Sequence, residues 1–132
     1  MARECLNCGR GNLRHGAKDV AYEYKGHVTV VPKVAGWHCP YCHEVEFDAR
    51  EGQRFSEAIM RIAEEVDAKE AADLARIRKK LKLTQLEAAR ITGGGPNAFS
   101  RYERGKARPL PAVINLFRLL DRHPELLNEV KN

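Results

Sequence analysis

Before Asp48 the apolar residues alternate with polar ones. Val20, Tyr22 and Tyr24 take every second position, Lys25-Gly26-His27 has the composition of a turn, and Val28 and Val30 resume the alternation. Period two on both sides of a turn predicts a β-hairpin. Val45 and Phe47 predict a short third strand. After Asp48 the period lengthens. Phe55, Ile59, Ile62 and Val66 lie at helical spacing with Ala58 and Ala63 beside them, while Glu57, Glu64 and Glu65 take the opposite face. This predicts one amphipathic helix from Ala49 to Val66. Asp67 to Asp73 is rich in alanine and acid and lacks large side chains. It either extends the helix or serves as a linker, and the domain boundary is placed there, giving residues 1–67 and 68–132.

From Leu74 onward the pattern predicts four or five short helices. Leu74, Ile77 and Leu81 share one face of the first. Thr84 with Glu87 three residues later has the spacing of a capping box, which opens the second. Gly93-Gly94-Gly95 ends that helix, and Pro96 suits the first position of the next. Gly105 stops the third helix, Pro111 opens a fourth, and His123-Pro124 breaks it, leaving room for a last turn or two. The apolar face of the fourth helix (Val113, Ile114, Phe117, Leu120) is either intradomain core or a dimer surface.

With 132 residues the chain holds one ordinary domain or two small ones, too few for a large α/β enzyme core. An apolar share of 43% and a charged share of 31% fit a soluble globular chain. No apolar run is long enough to span a membrane and no signal peptide is visible, so a cytoplasmic protein is expected. The net charge of +5 conceals a segregation. Glu44–Asp73 has four basic and ten acidic residues, net −6, whereas Leu74–Arg108 has ten basic and two acidic, net +8. A basic block of that density is either a solvated helical face or the footprint of a polyanion partner.

Cysteines in a reducing compartment are seldom structural disulfides. Here they form Cys5-x2-Cys8 and Cys39-x2-Cys42, thirty residues apart. Two intervening residues let both sulfurs of a pair reach one ion, and Gly9 and Gly11 supply a sharp backbone. Two such knuckles complete a closed tetrahedral shell of four thiolates, which suits one structural Zn2+ per chain. The hairpin fits within the gap. His38 and His43 flank the second pair as surface residues or as a replacement ligand. A redox Cys-x-x-Cys would sit singly in a βαβ context, and a catalytic zinc would keep an open position. With few large apolar side chains before residue 67, the ion is expected to hold that domain folded.

Arg78-Lys79-Lys80-Leu81-Lys82-Leu83-Thr84-Gln85, then Ala88-Ala89, three glycines and Asn97-Ala98-Phe99-Ser100-Arg101-Tyr102-Glu103-Arg104-Gly105, resembles the helix-turn-helix of Xre-type repressors. At about 100° per residue, Asn97, Ser100, Arg101 and Arg104 share one arc of roughly 100° and Ala98, Phe99 and Tyr102 another. Asn pairs bidentately with adenine and Arg with guanine in the major groove, so Asn97 and Arg101 are the candidate base readers. Asn97 has the alternative role of a helix-start residue and Arg101 that of a solvated cation. Ser100, Arg104, Thr84 and Gln85 join the expected DNA set. Lys79, Lys80, Lys82, Lys106 and Arg108 are placed to touch phosphates.

The whole sequence resembles the MqsA-type antitoxins, the YgiT zinc-finger family of type II toxin–antitoxin systems. The resemblance rests on the two Cys-x-x-Cys pairs, Lys18-Asp19-Val20-x-Tyr22, Lys25-Gly26, Arg78-Lys79-Lys80-Leu81, Gly93-Gly94-Gly95-x-Asn97-Ala98-Phe99-Ser100-Arg101-Tyr102-Glu103 and His123-Pro124-Glu125-Leu126-Leu127-Asn128-Glu129. A slightly longer N-terminus before Cys5, and Pro96 before Asn97, depart from it. It implies a zinc domain that wraps a RelE-like, mRNA-cleaving RNase toxin, and a helical domain that dimerises and represses its own operon at a palindromic double-stranded operator. It also matches Asn97 and Arg101 to the base-reading pair. The expected class is α+β: a small four-cysteine zinc-binding β domain with one helix, then an all-α helix-turn-helix domain, with no enzymatic activity. A zinc-ribbon regulator with no toxin partner is the alternative reading, and a thiol oxidoreductase or metallohydrolase a third.

Overall fold

A computed structural model describes residues 2–131 of the chain. They divide into two compact units, Met1–Glu64 and Glu65–Asn132. The architecture is α+β: a three-stranded antiparallel sheet, then helices.

In the first unit the strands are β1 (Arg14–Tyr24), β2 (His27–His38) and β3 (Val45–Phe47), in the order β1-β2-β3. Lys25 and Gly26, with φ of 49° and 81°, form the two-residue turn between the long strands. Both φ values positive is the backbone twist that suits a tight hairpin. The strands reach back to Arg14 and out to His38, beyond the alternating segments, because Arg14–Lys18 pairs in register with Val34–His38 although small and polar residues there weaken the hydrophobic signal. Asp19 stands opposite two residues, Pro32 and Lys33, and this bulge shifts the period so that Val31 and Val34 are both buried. Asp19 Oδ1 accepts the Lys33 N–H at 3.0 Å, and Arg54 Nη2 donates to the Pro32 and Lys33 carbonyls at 3.1 and 3.0 Å. Val28 and Val30, the apolar positions of the alternation in β2, are 68% and 54% exposed. The register explains it: Val20 and Tyr22 oppose Val31 and Thr29, so Val28 and Val30 share the other face with Ala21 and Glu23.

Helix α1 runs unbroken from Glu51 to Lys80. Of the two readings of residues 67–73, helix extension is the one the structure takes, and a single helix joins the two apolar stripes. Ala68, Ala71, Ala72, Lys69 and Glu70 are strong helix formers, and nothing between Gly52 and Leu81 breaks the ladder. Glu51 in the first turn accepts the Ala35 N–H at 3.0 Å, which ties the helix start to β2.

The second unit continues with α2 (Gln85–Thr92), α3 (Ala98–Glu103), α4 (Pro111–Arg122), a 3-10 turn (Pro124–Leu126) and α5 (Leu127–Val130). Its core joins Leu74, Ile77 and Leu81 to Leu83, Ala88, Ala89, Ala98, Phe99, Val113, Ile114, Phe117 and Leu120. Phe99 and Phe117 are fully buried with ring centroids 5.0 Å apart. Truncating a buried phenylalanine to alanine costs roughly 3–5 kcal/mol, so this pair anchors the unit. Val113, Ile114, Phe117 and Leu120 are thus intradomain core, and that face of α4 is not a dimer surface. The capping box is present: Glu87 N–H donates to Thr84 Oγ1 at 3.0 Å and Thr84 N–H to Glu87 Oε1 at 3.1 Å.

Candidate metal centre and nucleic-acid interface

The two cysteine knuckles are near copies of each other. In the first, Gly9 N–H donates to the Cys5 carbonyl at 2.9 Å, and in the second His43 N–H donates to the Cys39 carbonyl at 3.1 Å. Gly9 and His43 have φ of 64° and 65°, so each closes its turn from the left-handed region. Exposed His43 is thus a turn residue. His38 is buried, and its Nε2–H donates to the Val34 carbonyl at 2.8 Å, so neither histidine joins the sulfur cluster. The Tyr41 ring lies so close to Gly11 that a Cβ there would enter it, which explains a glycine at that position.

Four sulfurs converge between the knuckles, all within 4.8 Å of one another. Cys5 and Cys42 are 3.7 Å apart, as are Cys8 and Cys39. Metal–sulfur bonds of about 2.3 Å in a tetrahedron require sulfur–sulfur edges of about 3.8 Å. The cluster fits that shell and can hold a metal ion. Asn7 Nδ2 donates to Cys42 Sγ at 3.4 Å, and this bond first, with the Glu44 backbone N–H, holds the Cys42 thiol down. The Cys42 backbone N–H holds Cys39 down to about 6. Cys5, although the Cys8 backbone N–H favours its thiolate, is pushed up to about 11 by burial and by donation to the Cys42 and Cys39 sulfurs. Cys5, Leu13 and Cys39 form the buried cluster here, with Trp37 packed against it. The candidate ligands are therefore also much of the core.

At the other candidate site the glycine triplet acts residue by residue. Gly93 (φ 76°) caps α2 in the left-handed region, with its N–H on the Ala89 carbonyl, and Gly95 (φ 87°) turns the chain again. Gly94 lies where a Cβ would come within 3.0 Å of Ala98 Cβ. Pro96 stays in this turn, and α3 starts at Ala98 with Asn97 as its N-cap, two residues later than the sequence suggests. Ala98 and Phe99 are buried, Tyr102 is half-buried, and Asn97, Arg101 and Arg104 are exposed, with Ser100 between. Asn97 makes no side-chain capping hydrogen bond, so its amide is unspent.

Residues 3–131 match the family described as the antitoxin component of a bacterial toxin–antitoxin system, MqsA. The chain belongs to the MqsA antitoxin family. Antitoxin MqsA of Escherichia coli (strain K12) is 42% identical over 130 residues, covering 97% of this chain and 99% of that protein. A solved structure of the N-terminal domain of the E. coli protein MqsA aligns with 27% identity and a TM-score of 0.45, over 50% of this chain and 98% of that one.

In this MqsA-family chain several cations of the basic block are engaged internally. Lys80 Nζ reaches Asp121 Oδ1 at 2.8 Å and the Asp121 carbonyl at 2.7 Å, and Arg76 reaches Asp121 Oδ2 at 2.9 Å. Those hydrogen bonds, Arg76's first, hold the Asp121 carboxyl well below the ordinary carboxylate range. Arg108 pairs with Asp67 at 3.3 Å. Thr84 is committed to its cap and Gln85 follows it as the first residue of α2. Lys79, Lys82 and Lys106 are exposed. Sequence reasoning missed the pairing of Arg78 with Glu103 at 2.7 Å, because the partners stand 25 residues apart and no local pattern links them. Among the described residues no helix is long and apolar enough to cross a membrane.

Proposed function

We propose that this antitoxin neutralises a RelE-like, mRNA-cleaving RNase toxin through residues 1–67 and represses its own operon through residues 68–132, without enzymatic activity of its own. Cys5, Cys8, Cys39 and Cys42 hold one Zn2+. The ion supplies cross-linking, drawing two turns and the sheet between them into one fold; four thiolates leave it no open position for catalysis. Residues 68–132 bind a palindromic operator as a two-fold dimer, which sets two α3 helices about one DNA turn apart. Asn97 and Arg101 read base edges, with Ser100 and Arg104 beside them, while Lys79, Lys82, Lys106 and the α2 start at Thr84 and Gln85 meet the backbone. Lys80 and Arg108 take part to the extent that they leave Asp121 and Asp67. Such a protein works in the cytoplasm.

The observation that carries the DNA reading is the polar face of α3: Asn97 caps nothing with its side chain, Arg101 and Arg104 are exposed with Ser100 half-buried between them, and Ala98 and Phe99 hold the helix from behind. A footprint on the DNA upstream of its own gene, with and without the adjacent gene product, tests this. Protection of a two-fold symmetric site is expected, and its absence would remove the repressor role. Co-purification of the full chain with the adjacent RNase, lost in Cys39→Ser, is expected for the toxin role. An RNase retained by the full chain but equally by Cys39→Ser would take that role from the zinc domain.

A further inference from the structure

Helix α3 is only six residues long, so it cannot hold a direction by its own hydrogen bonds. Its packing side is fixed near the front by Phe99, fully buried against Phe117. Ala98 and half-buried Tyr102 pack beside it, but apolar contacts are non-directional and do not by themselves set the angle of a short rod. The second anchor is at the other end. Arg78, at the close of α1, donates from Nε to Glu103 Oε2 at 2.7 Å and from Nη2 to Glu103 Oε1 at 2.9 Å. Its Nη1 donates to the Leu83 carbonyl at 2.9 Å, in the link between α1 and α2. The two side chains are 12% and 10% exposed, far less than the other ion pairs of the basic block. One planar guanidinium therefore joins the end of α1, the approach to α2 and the last residue of α3. A lysine ammonium has no fork to satisfy both carboxylate oxygens and a carbonyl together.

We infer that Arg78 and Glu103 are a positioning pair that sets the angle of the base-reading helix, and that Arg78, although it stands in the basic block, is not a phosphate contact. This rests on the operator-reading function proposed above. The geometry separates two kinds of cation within one run of like residues. Lys79, next in the chain, is exposed and available to a backbone phosphate. Arg78 is turned inward with its fork filled, and it acts on DNA only through where it puts Asn97 and Arg101.

The test compares full-length, zinc-loaded protein with Arg78→Lys, Glu103→Gln and the charge-neutral double variant Arg78→Gln/Glu103→Gln. Anisotropy titrations use two duplexes of equal length, one from the region upstream of the gene and one of random sequence, over a range of salt, with circular dichroism to certify folding. Operator affinity is expected to fall on the order of tenfold or more in each variant, because a bidentate, near-buried pair is lost. Random-duplex affinity and salt slope should stay at wild-type values. A phosphate contact behaves otherwise: the double variant would lose affinity for both duplexes alike and about one unit of salt slope. That result, or variants that keep the wild-type ratio between the two duplexes, overturns the positioning role while leaving operator reading intact. A wild-type protein that itself fails to discriminate between the duplexes overturns both. Where a single variant unfolds, the double variant, which buries no unpaired charge, decides.

Discussion

Arg101 and Gly93 mark two ways in which single residues of the proposed reading site matter. Arg101 is exposed, and nothing in the core leans on it. Arg101→Ala should therefore leave the melting temperature unchanged while costing about 1–3 kcal/mol per half-site on the operator and relaxing base preference there. Equal losses on operator and random DNA would cancel its readout role. Gly93 is the reverse case. At φ 76° a side chain strains the backbone, so Gly93→Ala should destabilise the unit by roughly 1–2 kcal/mol and lower the thermal midpoint. Gly94, with no left-handed φ, would instead force a Cβ to 3.0 Å from Ala98, a local repacking. At this scale the sequence is informative. The knuckle spacing selects the four cysteines that cluster, and the arc arithmetic separates Asn97 and Arg101 from Ala98 and Phe99. Arg78 is hidden, because within a row of cations only tertiary closure distinguishes the one that turns inward to Glu103.

Among the elements, the capping box and the glycine stop are readable from local chemistry, since each is decided within four residues. The same holds for the proline start of α4. Strand limits and the continuity of α1 are not readable in that way. Arg14–Lys18 is a strand because of what it pairs with, and the Pro32–Lys33 bulge, which brings Val31 and Val34 to one side, is invisible to a period-two rule. The alanine-rich stretch carries no large side chain to reveal a helical stripe, yet its propensity suffices to continue the ladder. The tie between α1 and α4 yields a prediction at this scale. Asp121 holds Lys80 and Arg76 together. Asp121→Asn leaves Lys80 only the Asp121 carbonyl as partner and should release its ammonium toward a phosphate, raising the salt slope on random duplex DNA by about one unit. An unchanged slope would place Lys80 away from the backbone.

For the molecule as a whole, the two units depend on different physics, and two measurements separate them. The first has its buried centre at the cysteine cluster, with Trp37, the chain's single tryptophan, against it. Removing metal with a strong chelator should therefore change tryptophan emission and abolish the sheet signal while helical ellipticity from the second unit persists. Emission that does not change would mean that the sheet stands without the ion. Acid acts on carboxylates in both. Hydrogen bonds from Arg54 to Glu51, from the Thr84 backbone N–H to Glu87 and from Arg76 to Asp121 hold all three below their ordinary values. A carboxylate depressed in the fold stabilises above its unfolded value and loses that contribution as the pH falls toward its folded one. For the second unit, which contains no cysteine, the melting temperature should thus be flat from neutral pH to about 5 and decline below about 4; a decline beginning near neutrality would mean that these carboxylates are not what acid acts on. The charge segregation visible in the sequence tells where a polyanion would go but not which cations are spoken for. The helix that carries Asn97 and Arg101 is held by Ala98, Phe99, Tyr102 and Glu103, and not by the side chains of Asn97 and Arg101. Under the proposed operator reading, duplicated copies of such a gene would drift to new promoters by exchanging a few surface groups, without ever passing through an ancestor that fails to fold.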